Sequence, residues 1–216
     1  MYKYTTYFTV IFGLTITWQL DAEQGGLVDD CQPCVFNISD KLGKYLFFFE
    51  KVSNDRDGTI IKQITVKREC DESEIQKLDI DYMSPVLTGD QFYFDTIDLN
   101  SDGINDLVLA VHKGMTNSYA KYWLFDSKSE KFEYLDEYPT LKVDVDKQRL
   151  TSYERGGHGG MIYEAKEYQF ANKQLKVVRI EKQEWKADKN IYIKTIQELK
   201  NGKLVTISEQ EIESEI

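Results

Sequence analysis

The chain reads as an all-β protein, an antiparallel β-sandwich or meander carrying a strand–calcium loop–strand unit. Three observations predict this class. Short runs rich in Val, Ile, Phe, Tyr and Thr recur between turn residues from Val35 onward. Ile191–Leu199 and Leu204–Ile212 alternate around Asn201-Gly202, a dipeptide that supplies the positive φ a two-residue hairpin requires. No segment of helical period exceeds two turns, so the crossover helices of a parallel sheet are not expected.

Residues 1–22 read as a secretory signal peptide. Lys3 gives a basic start, Thr5–Leu20 is mostly apolar, and Ala22 suits a cleavage site. A retained N-terminal anchor is the other reading of the same run. Residues 23–34 are expected to be a flexible polar segment, and 35–216 a single all-β domain. Val35–Ile38 opens the strands. Lys44–Lys51 and Ile60–Lys67 form a hairpin around Asn54-Asp55-Arg56-Asp57-Gly58, which resembles a metal loop but lacks a later ligand at the right spacing. Ile75–Leu78 is expected to be a short helical turn. Lys121–Phe125 and Phe132–Leu135 pair next, followed by Leu141–Val145 with Arg149–Ser152, then Ile162–Phe170 with Leu175–Glu184 around Asn172.

The most informative stretch is Phe94–Leu109. Asp98, Asn100 and Asp102 place oxygen ligands at alternate positions, Gly103 permits a sharp turn, and Asp106 closes the shell, directly or through water. With the Ile104 backbone carbonyl, these residues match the first nine positions of a calcium loop. The twelfth position is Leu109 rather than a bidentate Glu, and the flanks Gln91–Ile97 and Leu107–Val111 are β-branched, aromatic or apolar. The unit is therefore expected to be strand–loop–strand, with Ca²⁺ as a structural cofactor. The plainer reading is an acidic hairpin turn, but three carboxylates within nine residues would repel one another there.

The second distinctive stretch is Ser152-Tyr153-Glu154-Arg155-Gly156-Gly157-His158-Gly159-Gly160. Four glycines in five positions exceed what a hairpin needs. Arg155 and His158 add donors, and Tyr153 an amphipathic anchor. Held between strong strands, the loop is expected to contact a partner; a connection without a role is the alternative. His112 and His158 have no accompanying Ser or Cys nucleophile signature, so no enzyme is expected.

Net charge is −10, and it stays so without residues 1–22, which carry one Lys and one Asp. That argues against nucleic acid and anionic membranes and favours a basic protein partner. Three cysteines in an exported chain imply one disulfide, expected from Cys34 or Cys31 to Cys70. Cys31-Gln-Pro-Cys34 lacks the βαβ context of a redox motif.

The order of features from Phe94 to about Glu184 resembles calcium-binding periplasmic proteins related to the antibacterial immunity proteins of type IV secretion systems. Their fold is similar to that of periplasmic inhibitors of invertebrate-type lysozyme. The resemblance rests on Phe94-Asp95 with the Asp98–Asp106 loop, Tyr122-Trp123, Phe132-Glu133-Tyr134, Val143-Asp144-Val145-Asp146-Lys147, Leu150-Thr151-Ser152-Tyr153 and Tyr168 before Asn172. A similar calcium loop occurs in propeller blades, but a propeller needs repeated blades and this chain has one such motif. The resemblance implies a periplasmic or extracellular inhibitor whose Ser152–Gly160 loop enters the cleft of a lysozyme-like peptidoglycan hydrolase. The alternative is a non-inhibitory, calcium-stabilised surface binding or adhesion module.

Overall fold

The computed structural model describes residues 26–27, 31–54, 58–80, 93–113 and 116–213. The expected signal peptide lies outside these, as does the middle of the Asn54–Gly58 turn. Among the described residues no helix is long and apolar enough to cross a membrane.

Among the described residues, fifteen antiparallel strands form three sheets. The first contains β2 (Cys34–Ser39), β3 (Gly43–Asn54), β4 (Gly58–Arg68) and β5 (Glu74–Asp79), in chain order. The second contains β1 (Gly26–Leu27), β6 (Tyr93–Ile97), β7 (Asp106–Lys113), β8 (Ser118–Asp126) and β9 (Lys131–Pro139). The third is a meander of β10 (Lys142–Asp144), β11 (Arg149–Arg155), β12 (Tyr163–Ala171), β13 (Gln174–Lys186), β14 (Ile191–Lys200) and β15 (Lys203–Glu213). β1 falls within the segment expected to be flexible, yet it pairs with β6 through Gly26↔Phe94 and Leu27↔Tyr93.

The second sheet is the middle layer of the stack. Leu107, Leu109, Val111, Trp123, Phe125 and Phe132 join the core shared with the first sheet. Their neighbours Val108, Tyr122 and Leu124 join the core shared with the third. This is why Tyr122-Trp123-Leu124-Phe125 is apolar without alternation: β8 is buried on both faces. In the first core the Phe94 ring meets Phe36, Phe47 and Phe49 at centroid distances of 5.4, 5.1 and 5.0 Å, joining β6 to β2 and β3.

Two local expectations are corrected. Ile75–Leu78 is not helical but part of β5. The spacing of Ile75 and Leu78 suits one helical turn, but pairing with β4 through Ile64↔Leu78, Thr65↔Lys77 and Val66↔Gln76 wins and buries Leu78. The Gln76 side chain then reaches the middle sheet: its Nε2 donates to Phe132 O at 2.9 Å, and Phe132 N donates to its Oε1 at 2.9 Å. The disulfide joins Cys31 to Cys34, Cα atoms 4.8 Å apart, and Cys70 is an exposed free thiol. Register explains why. Cys34 opposes Phe47, which opposes Val66, so Cys34 lies about 10 Å across two strands from Val66. Cys70 is four residues further on, beyond the roughly 7 Å that a disulfide can span.

The predicted hairpins occur where expected. Asn201 and Gly202 adopt φ of 51° and 80°, as a two-residue turn of this hand requires. In the β12–β13 turn Asn172 and Lys173 do the same, at 54° and 60°. Lys173 stands where glycine is usual, and its Nζ pairs with Asp126 and Glu133, each at 3.1 Å, tying this turn to the middle sheet.

Candidate functional site

The Asp98–Asp106 segment joins β6 to β7 as a tight loop folded by its own side chains. The Asp98 carboxylate accepts from Asp102 N at 3.1 Å and Gly103 N at 2.9 Å. Asn100 Oδ1 accepts from Asp102 N at 3.0 Å, and Asp102 Oδ1 accepts from Ile104 N at 2.9 Å. Gly103 at φ 82° makes the turn. Asn105, which no ligand pattern singles out, fastens the loop to the first sheet. Its N donates to Ile38 O at 2.8 Å and its Nδ2 to Asn37 O at 2.9 Å.

The donor chemistry fits a hard cation in part. Asp98, Asn100 and Asp102 are side-chain oxygens held by successive turns of one loop, and each carboxylate has lone pairs beyond those used on the backbone. Asp106 is different. It is fully buried, its Oδ2 accepts from Leu99 N at 3.0 Å, and its Oδ1 accepts from Phe125 N at 2.8 Å. Burial pushes its pKa up to about 7; those two N–H groups oppose the shift, and the charges of Asp102 and Asp98 add to it. Its two oxygens bind the loop to β8. Among the described residues no group of three or more His, Cys, Asp or Glu is placed to hold a metal.

The glycine-rich stretch is ordered and turned back on the third sheet. Gly156 N donates to Ile162 O at 2.7 Å, closing the base of the loop. A Cβ on Gly156 would lie 2.7 Å from Ile162 Cγ2, so glycine is needed there by space. Within the loop His158–Gly160 forms one 3₁₀ turn. Gly159 and Gly160 have φ of 64° and 94°, whereas Gly157, at φ −72°, is open to a side chain. His158 lies against Trp185 and Tyr192 at ring distances of 5.1 and 5.8 Å, with Nδ1 3.0 Å from Tyr192 Oη. Gln183 Nε2 donates to Met161 O at 2.7 Å.

The predicted contact residues therefore divide. Ser152 is buried in β11 with Oγ 3.1 Å from Tyr168 Oη, so it belongs to the base of the loop. Tyr153 stacks on Tyr163 with centroids 5.5 Å apart. Arg155 is exposed, and its backbone is gripped by a residue the sequence did not mark. Arg155 N donates to Asn117 Oδ1 at 2.7 Å, and Asn117 Nδ2 donates to Arg155 O at 2.9 Å. Nearby, Tyr119 Oη donates to Glu154, which with burial raises the tyrosine pKa to about 12.

The two loops sit at opposite ends of the stack. Asn117, just before β8, holds Arg155, while Phe125, near the end of β8, holds Asp106. Eight residues of strand separate them, about 26 Å.

No protein-family model matches the chain, and no curated protein matches it. Among solved structures, the fold is similar to one described as "Structure of a Xanthomonas Type IV Secretion System related protein", with a TM-score of 0.52 and 13% identity, covering 86% of this chain and 98% of that one. At that identity the likeness speaks for the fold alone.

Proposed function

We propose that this chain is an exported calcium-binding protein that inhibits a lysozyme-like peptidoglycan hydrolase through its Ser152–Gly160 loop. The observation that carries the proposal is Arg155, an exposed cation on a backbone held by Asn117. Lysozyme-type clefts carry a carboxylate pair. A guanidinium carried on a fixed backbone forms charge-assisted hydrogen bonds to carboxylates with the backbone part of the ordering cost already met. The flanking glycines keep the loop narrow, and the net charge of −10 favours encounter with a basic enzyme. Asp98, Asn100, Asp102 and the Ile104 carbonyl would hold Ca²⁺, with Asp106 anchoring them. At about 26 Å from Arg155 along β8, the ion's role is structural.

The test is turbidity loss of cell-wall substrate across several lysozyme classes, for wild type, Arg155→Ala and Gly157→Val. Wild type is expected to block at least one enzyme. Arg155→Ala should lose about 2–5 kcal/mol of binding, and Gly157→Val should weaken binding sterically while melting like wild type. Equal inhibition by all three proteins would remove the loop from the mechanism. Failure of wild type on the whole panel would favour the surface binding module.

A further inference from the structure

A cavity of about 310 Å³ opens at the cation-loop end, between that loop, the β10–β11 turn and β12. Its floor is formed by Leu99, Leu150 and Tyr168, each at most 3% exposed, so most of the surface it offers a ligand is polar. Its rim is amide and hydroxyl, from Asn100, Ser101, Gln148 and Gln169, and the half-buried Phe170 ring completes the lining. No lining side chain carries a formal charge, in a chain with 30% charged residues.

That combination narrows the ligand. An anion would find no counter-charge here and would meet Asp98 and Asp102 nearby. A wholly apolar ligand would cover the Gln148 and Gln169 amides without giving them partners, which costs affinity; the Asn100 amide is already bonded to Asp102 within the cation loop. Each Asn or Gln amide offers two donors and an acceptor in one plane, a match for adjacent hydroxyls. An aromatic wall suits the C–H face of a ring. The volume is at the low end of the roughly 300–1,000 Å³ of small-molecule sites, enough for one or two sugar rings.

We propose that this cavity is a binding site for an uncharged oligosaccharide. It lies at the end of the stack away from Arg155, so it is independent of the inhibition reading and leaves the glycine-rich loop free when occupied.

The experiment titrates the full chain, in calcium-containing buffer, with chitotetraose, cellotetraose and maltotetraose, using ¹H–¹⁵N spectra and calorimetry. Saturable binding of at least one probe is expected, with amide shifts centred on 99–101, 148–150 and 168–170. Gln169→Ala and Gln148→Gly should each weaken it roughly fivefold or more, the loss of about one net hydrogen bond. Gln148 has φ of 50°, so glycine removes its side chain without straining the backbone. Both variants should inhibit a hydrolase as wild type does, which separates this site from the loop. Absence of binding for all three probes would overturn the proposal. So would binding that both variants retain at full strength, or shifts confined to other residues.

Discussion

Replacing Asn117 with alanine tests whether the glycine-rich loop is ordered before it meets a partner. Asn117 makes two hydrogen bonds to the Arg155 backbone, of 2.7 and 2.9 Å. Both are at the surface, so their loss should cost about 1–2 kcal/mol of stability, a few degrees in Tm for a chain of this size. The effect on inhibition should be larger than that suggests. If Arg155 loses its fixed backbone, ordering that residue on binding costs about 1–2 kcal/mol, which is roughly a 5- to 30-fold loss of affinity. Asn117→Asp keeps the acceptor for Arg155 N and loses the donor to Arg155 O, so it should fall between wild type and alanine. Inhibition constants report the binding effect. Hydrogen exchange at residues 156–162 reports the ordering directly, and protection should drop in Asn117→Ala. Unchanged exchange together with unchanged inhibition would refute the clamp as the source of order.

Three further outcomes are expected. Calcium at about 100 times its dissociation constant should add roughly 2.7 kcal/mol of stability, lost with chelator and in Asp102→Ala; an unchanged Tm with no bound metal by elemental analysis would contradict the cation loop. Asp106→Ala strands the buried N–H groups of Leu99 and Phe125, and even with the carboxylate's own desolvation cost removed it should lose about 2–4 kcal/mol in urea unfolding. Burial raises Tyr122 to a pKa of about 12 from 10.0. The folded state therefore keeps a proton that the unfolded chain releases, and the associated stability, full well below pH 10, should fall by about 2 kcal/mol as pH rises to 12; Tyr122→Phe should remove that share of the alkaline loss, leaving those of Tyr93 and Tyr119, while losing about 1–3 kcal/mol at neutral pH, because Leu141 N donates to the Tyr122 hydroxyl at 2.8 Å.

The strands were legible wherever local chemistry and burial agree. Asn201-Gly202 dictates its hairpin alone. The unbroken Tyr122–Phe125 run marks burial on both faces, and that pattern, taken further, would have indicated a sheet between two others. Partners distant in sequence were not legible. β5 became a strand because β4 offered it a ladder, and the disulfide closed locally because register holds Cys70 away from Cys34. Lys173 in a position favouring glycine is understandable only once Asp126 and Glu133 are seen beside it.

The candidate sites show the same division more sharply. Ligand spacing in Asp98–Asp106 is local, and the loop's internal bonds follow it: alternate oxygens bind N–H groups two to five residues on. What spacing cannot say is which carboxylate turns inward. That depends on the amides of Leu99 and Phe125, the latter on another strand, and it gives Asp106 a role that its position in a calcium pattern would not assign. In the glycine-rich stretch, composition alone does not say which glycines the fold requires. Gly156 is small because Ile162 is close, and Gly159 and Gly160 are needed for their positive φ. Only Gly157 is free of such demands, which makes it the position where a side chain can probe partner access without first disturbing the fold. The loop therefore meets any partner as a fixed shape carrying Arg155, and its specificity should depend as much on Asn117, Trp185 and Tyr192, which hold that shape, as on the residues that make contact.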